Sequence, residues 1–171
     1  MASEAPRSLA FFLLILNLVL YGIVTIIAGW AVNYGIEHSY QTASTLKIPA
    51  HLFPMYYPIG NMATGFFVIF ALIAGLVGVA TSISGINSIL KWTLPNLLSA
   101  ATYSTTTWFL TILAMGLACK EINIGFTEDT KLRALEVLTI IVSATQFLCV
   151  GTIHVGVTDV VRQEKYSGGR V

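Results

Sequence analysis

The sequence predicts an all-α membrane protein: a bundle of four transmembrane helices. Three observations carry that prediction. Of 171 residues, 56% are hydrophobic and only 10% are charged, against about 25% charged in an ordinary soluble domain. The mean hydropathy is +0.79. The few charges also bracket long uncharged stretches: no Asp, Glu, Lys or Arg lies between Arg7 and Glu37, Lys47 and Lys91, Lys91 and Lys120, or Glu136 and Asp159. Nine basic and eight acidic side chains cannot clothe a globule of this size in polar groups. A water-soluble monomer, a disordered chain and a disulfide-stapled secreted domain are therefore excluded. A net charge of +1 leaves no basic footprint, so nucleic acid is not an expected partner.

A helix rises about 1.5 Å per residue, and about 20 apolar residues span a ~30 Å hydrocarbon core. Each uncharged stretch holds one such run, placing helices near 9–32, 61–83, 97–119 and 134–157. The continuous apolar runs lack the alternation of a membrane barrel. Residues 1–8 read as an N-terminal tail, 9–157 as one transmembrane domain and 158–171 as a polar C-terminal tail.

The first run follows Arg7 and contains Asn17. It exceeds the 7–15-residue core of a secretory signal, so it reads as a retained helix. Ala2 gives no myristoylation signal and the C-terminus is no prenylation box. Asn17 lies roughly 13 Å from the face shared by the termini, and Gln146 on the fourth helix roughly 16 Å from it. Those depths let the two amides pair if their helices touch, as interhelical glue.

Between the first two helices, Pro49, Pro54 and Pro58 forbid one straight helix through 49–60. Phe53, Tyr56 and Tyr57 suit the headgroup level. The stretch is either an interfacial anchor or a re-entrant plug in which His51 responds to protons.

The second helix carries a small-residue face, Thr64, Ala71, Gly75, Gly78, Ser82 and Gly85, and the third another, Ala100, Ser104, Thr107, Thr111, Ala114 and Ala118. Lipid provides no hydrophobic drive for helix pairing, so close backbone approach through small residues takes that role. These faces pack the bundle, with hydroxyls bonded back to their own helix, or line a polar path, or pair subunits in a homo-oligomer. The third helix closes on Lys120-Glu121. Lys120 complements the negative helix terminus with a snorkelling stem, or it receives an organic carboxylate.

Four crossings put both termini and Lys91 on one face, with Arg7, Arg162, Lys165 and Arg170; Lys47, Lys120, Lys131 and Arg133 lie on the other. The basic cluster after the last helix places the termini in the cytoplasm. The two remaining connectors then share a face, gathering Glu37, His38, Lys47, His51, Lys120, Glu121 and Glu136. The candidate ligand site is Lys120, His51, Glu121, Tyr56 and Tyr57 on that face, with Asn17 and Gln146 as intramembrane polar groups. No protease, phosphate-loop or nucleophile-elbow motif occurs. Cys119, Cys149 and three scattered histidines form no metal set. Neither enzyme activity nor a cofactor is expected.

Several blocks occur in order at fitting distances: Asn17-Leu18 with Tyr21; Ala28-Gly29-Trp30-Ala31-Val32-Asn33; Pro49-Ala50-His51 through Tyr57-Pro58-Ile59-Gly60-Asn61; and Ala63-Thr64-Gly65-Phe66-Phe67-Val68. Ala114-Met115-Gly116-Leu117-Ala118-Cys119-Lys120-Glu121-Ile122 and Ser143-Ala144-Thr145-Gln146 follow. From about Leu9 to His154 the chain resembles the AWPM family, the abscisic-acid-induced wheat plasma-membrane polypeptides and their plant relatives. Gly85-Ile86-Asn87-Ser88 lacks histidines found in many members. The resemblance implies a plant plasma-membrane tetraspan protein tied to abscisic acid, dehydration, cold and seed dormancy. It also brings abscisic acid import as a proposed activity, with no family-wide binding residues.

Two functions follow as expectations. In the first, Lys120 captures the hormone anion, His51 helps protonate it, and the neutral acid passes along a subunit interface built from the small faces. In the second, the tetraspan organises membrane or a partner complex and transports nothing.

Overall fold

The structure, a computed structural model, describes residues 4–45, 62–124 and 129–168, with side chains for 5–37, 63–123 and 129–166. Four helices account for nearly all of these residues: α1 (Glu4–Thr45), α2 (Met62–Lys91), α3 (Leu94–Ile124) and α4 (Thr130–Gly168). The predicted runs fall on α1–α4, except that Asn61, the first residue of the second run, lies outside the described residues, and each helix continues beyond the C-terminal end of its run. α4 continues through most of the expected C-terminal tail. Extending a formed helix adds one hydrogen bond per residue fixed, without a new nucleation cost. Apolar patterning therefore marks only the part of the helix that meets lipid or core.

The helices run up, down, up and down. Leu14, Tyr21 and Thr25 of α1 lie against Gly85, Gly78 and Gly75 of α2, in antiparallel register. α3 packs on α2 and α4, and α4 returns to α1, closing the ring. The turn from α2 to α3 is only Trp92 and Thr93. Trp92 takes a left-handed φ of 45°, a conformation disfavoured by roughly 1–2 kcal/mol for a residue with a Cβ. Contacts of the indole offset this strain: it lies against Gly156 of α4 and under the Arg7 guanidinium, 5.7 Å from the ring centroid. Arg7 also donates to the Leu90 carbonyl, 2.9 Å, satisfying an acceptor that the end of α2 leaves open. At the start of α4, the Lys131 amide donates to Asp129 Oδ1, 2.9 Å, as an N-cap requires.

Large apolar side chains point outward all round. Phe12, Ile26, Leu76, Phe109 and Phe147 are each more than half exposed. The interior holds two apolar clusters. One joins Tyr21, Ala28, Phe67, Ala71, Leu132 and Leu135; the other, nearer the termini, joins Leu14, Ile89, Leu97, Cys149 and Ile153. Buried polar groups separate them.

Three helices are long and apolar enough to cross a membrane: α1, α2 and α4. α3 is not one of them. Its middle carries Thr102, Tyr103, Ser104, Thr105, Thr106 and Thr107 in succession, which lowers its average hydropathy although no charge interrupts it. Composition thus establishes four helices and three spans, and the fourth crossing expected from charge spacing depends on how those hydroxyls are placed.

The small-residue faces turn inward, away from the outer surface on which the expected subunit interface would form. Thr64, Ala71 and Ser82 of α2 are buried, as are Ala100, Ser104, Thr107, Thr111, Ala114 and Ala118 of α3. Both faces are occupied within the chain. Gly75 and Gly78 admit α1 so closely that an added Cβ would overlap Thr25 and the Tyr21 ring.

Candidate functional site: a buried polar file

The interior polar groups come from all four helices. On α4, Glu136, Thr139, Ser143 and Gln146 recur at steps of three, four and three, the spacing that keeps one helix face. All four are buried. α3 adds Ser104, Thr107, Thr111 and Glu121; α2 adds Thr64 and Ser82; α1 adds Asn17. From Ser104 to Glu121 the helix rises about 25 Å, most of a hydrocarbon core.

At the terminus-side end of the file, Asn17 Nδ2 donates to Gln146 Oε1, 2.8 Å. Gln146 Nε2 in turn donates to the Ser104 carbonyl and hydroxyl, 3.1 and 2.9 Å. One glutamine thereby straps α1, α4 and α3 together. One turn on, the Tyr21 and Thr111 hydroxyls lie 2.8 Å apart. The Thr111 proton already goes to the Thr107 carbonyl, so Tyr21 is the donor. Thr81 and Thr107 connect α2 to α3 at 2.9 Å. Thr105, Thr107, Thr111 and Thr139 donate to carbonyls four residues back, which hides their protons inside the helix.

The other end of the file is acidic. Glu121, only 1% exposed, accepts from the Thr64 hydroxyl at Oε2, 2.6 Å. Its Oε1 is buried without a hydrogen-bond partner among the described residues. Glu136 is buried at the same end. Lys120, one residue before Glu121, is exposed; successive residues on a helix point roughly 100° apart. Lys131 stands 3.8 Å over the Trp30 ring, which stacks on Tyr34 at 5.4 Å, latching α4 to α1 at this end of the bundle.

Of the sequence-derived candidates, Glu121, Asn17 and Gln146 are interior and Lys120 is exterior. His51, Tyr56 and Tyr57 lie outside the described residues. His154 is exposed, its Nδ1 2.9 Å from the Val150 carbonyl. Sequence reading placed Glu136 by its face of the membrane and missed Thr139 and Ser143 as partners in a stripe. The three-four-three spacing of polar residues in an apolar run was the available signal. Among the described residues no group of three His, Cys, Asp or Glu is placed to hold a metal, and Cys119 and Cys149 are free thiols.

Among the described residues, open grooves mark the outer surface at two places. One, about 280 Å³, runs between Arg7, Ser8, Phe11, Ile89 and Leu90. The other, about 370 Å³, lies between α3 and α4 beside Thr102, Thr106, Phe109 and His154. Neither is lined by Glu121 or the amide strap.

A bundle that turns large apolar side chains outward and pairs its polar groups inside is a multi-pass helical membrane protein. Water would demand the reverse arrangement. The particular kind follows from comparison: residues 15–156 match the AWPM-19-like family, and the chain belongs to it. It is 36% identical over 150 residues to the rice (Oryza sativa subsp. japonica) "Membrane protein PM19L", covering 88% of this chain and 79% of that one. No solved structure matches significantly.

Proposed function

We propose that this chain is a four-span protein of the plant plasma membrane, with cytoplasmic termini, that serves the abscisic acid and dehydration response by taking up abscisic acid. Family membership and the resemblance of the sequence blocks support the physiological setting. The observation that carries uptake is the buried polar file from Glu121 and Glu136 to Gln146. A weak organic acid crosses lipid unaided only when neutral, and its anion bears a large desolvation penalty. A file of hydroxyls and amides offers hydrogen bonds along a route that excludes bulk water.

The fourth crossing belongs to the same reading. α3 has 31 residues, about 46 Å, and lies antiparallel between α2 and α4. Ser104, Thr107 and Thr111 face the interior, while Thr102 and Thr106, on the outside, donate to their own helix. A hydroxyl whose proton is satisfied in this way is tolerated in hydrocarbon.

The Gln146 strap favours a second reading, a structural or accessory tetraspan. It ties three helices across the middle of the interior, and a bundle of four helices ordinarily fills its own core. Purified protein in liposomes separates the two. Saturable, pH-dependent acceleration of labelled abscisic acid entry is the uptake outcome. Entry equal to that of empty liposomes at every pH leaves the structural role.

A further inference from the structure

We infer that the carboxylate of Glu121, held by Thr64, is the receiving site for the acid, and that it takes the neutral, protonated form and turns the anion away. The inference rests on the uptake reading and deepens it, naming the residue and the chemical form of the ligand.

The geometry at Glu121 is that of an acceptor awaiting a donor. Oε2 is fixed by the Thr64 hydroxyl at 2.6 Å. Oε1, equally removed from solvent, has no partner among the described residues. Elsewhere in the file most buried polar atoms are matched, as the links through Gln146, Tyr21 and Thr107 show. A carboxylate oxygen accepts hydrogen bonds and does not donate them. A carboxylic acid presents one O–H, which fills the vacancy with a hydrogen bond to Oε1. A carboxylate ligand has no proton to give and brings a second negative charge to a water-poor site.

The surroundings reinforce that preference. The titratable groups described at this end, besides Glu121, are Tyr34 and Glu37 of α1, Cys119 and Lys120 of α3, and Asp129, Lys131, Arg133 and Glu136 of α4. Lys120, Lys131 and Arg133 are exposed, whereas Glu136 is buried. Glu37 is exposed beside them, so the outer surface here carries both signs, whereas the buried groups, Glu121 and Glu136, are both carboxyls, and among the described residues no buried cation stands at this end to receive an anion.

The test is equilibrium binding of labelled abscisic acid to the purified full-length protein, at pH values spanning the ligand's own ionisation, beside uptake in liposomes. Wild-type binding should follow the protonated fraction of the ligand, and the methyl ester, which lacks the acid O–H, should compete at least about tenfold less well. Glu121→Ala should weaken binding about tenfold or more, as loss of a hydrogen bond to a charged group implies. Glu121→Gln keeps an acceptor without the charge, so it should retain binding at low pH and extend it to higher pH. Lys91→Ala, at the opposite end of the bundle, should match wild type. Glu121→Gln also serves if the alanine variant does not fold. Binding that follows the anion, full competition by the ester, or wild-type affinity in Glu121→Ala overturns the inference. Binding lost in Glu121→Ala while liposome uptake never exceeds background would overturn the uptake reading and keep the site; uptake untouched by Glu121→Ala would do the opposite.

Discussion

Asn17 and Gln146 stand 129 positions apart in the chain and share a hydrogen bond of 2.8 Å in the middle of the bundle. The pair is one half of a strap whose other half runs from the same glutamine to Ser104. It lies between two apolar clusters, where no water competes for its donors. A residue with three interior bonds to two other helices sets the relative height of α1, α3 and α4.

Removing Gln146 should therefore destabilise more than removing Asn17. Gln146→Leu strands donors or acceptors on both neighbours, a loss of about 1–3 kcal/mol. Asn17→Leu breaks one bond and also removes Oδ1, which is buried without a partner; about 1 kcal/mol is expected. Thermal unfolding in detergent micelles measures both, and the double variant should lose less than the sum. Strict additivity would show that the bond contributes nothing.

At Gly78 of α2 the Tyr21 ring of α1 occupies the space a Cβ needs. Gly78→Ala should displace Tyr21 and its bond to Thr111, destabilising by about 1–3 kcal/mol. Gly22, on α1, has nothing within 4 Å of an added Cβ, so Gly22→Ala should be neutral or slightly stabilising. Equal melting temperatures for the two variants would refute this register.

The Trp92 turn sets strain against packing. Glycine tolerates φ of 45° and alanine does not. Both substitutions lose the contacts with Gly156 and Arg7. Trp92→Ala should be less stable than Trp92→Gly by about 1 kcal/mol, and both less stable than wild type. If alanine matched glycine, the left-handed turn would be absent in solution.

Topology has a direct readout. In a variant lacking Cys119 and Cys149, single cysteines at Glu37 and Asp129 should react with a membrane-impermeant thiol reagent from the same side of intact vesicles, and one at Lys91 from the other. Labelling of 37 and 129 from opposite sides would mean that α2 and α3 do not both cross.

Several features were legible without coordinates because they depend on local composition. Four uncharged runs between sparse charges are enough to specify four helices, since backbone groups in an apolar medium must bond within their own segment. The matching depths of Asn17 and Gln146 were legible, because helical rise converts residue number into height; that α1 and α4 touch, which their pairing needs, was not. The extents of the helices were not, since a helix continues past its apolar stretch wherever nothing breaks it.

Which polar group faces inward was decided by the tertiary structure. Lys120 and Glu121 are adjacent and equally polar on paper, yet packing against α2 turns the glutamate to Thr64 and leaves the lysine outside. The small-residue stripes suited either a subunit interface or the bundle's own seams; only the docking of α1 on Gly75 and Gly78 settled their use. Composition and charge spacing thus determine that this chain enters a membrane as helices. The angular position of each helix about its axis, which decides what meets inside, depends on contacts between segments far apart in the chain and is fixed only when all four have docked.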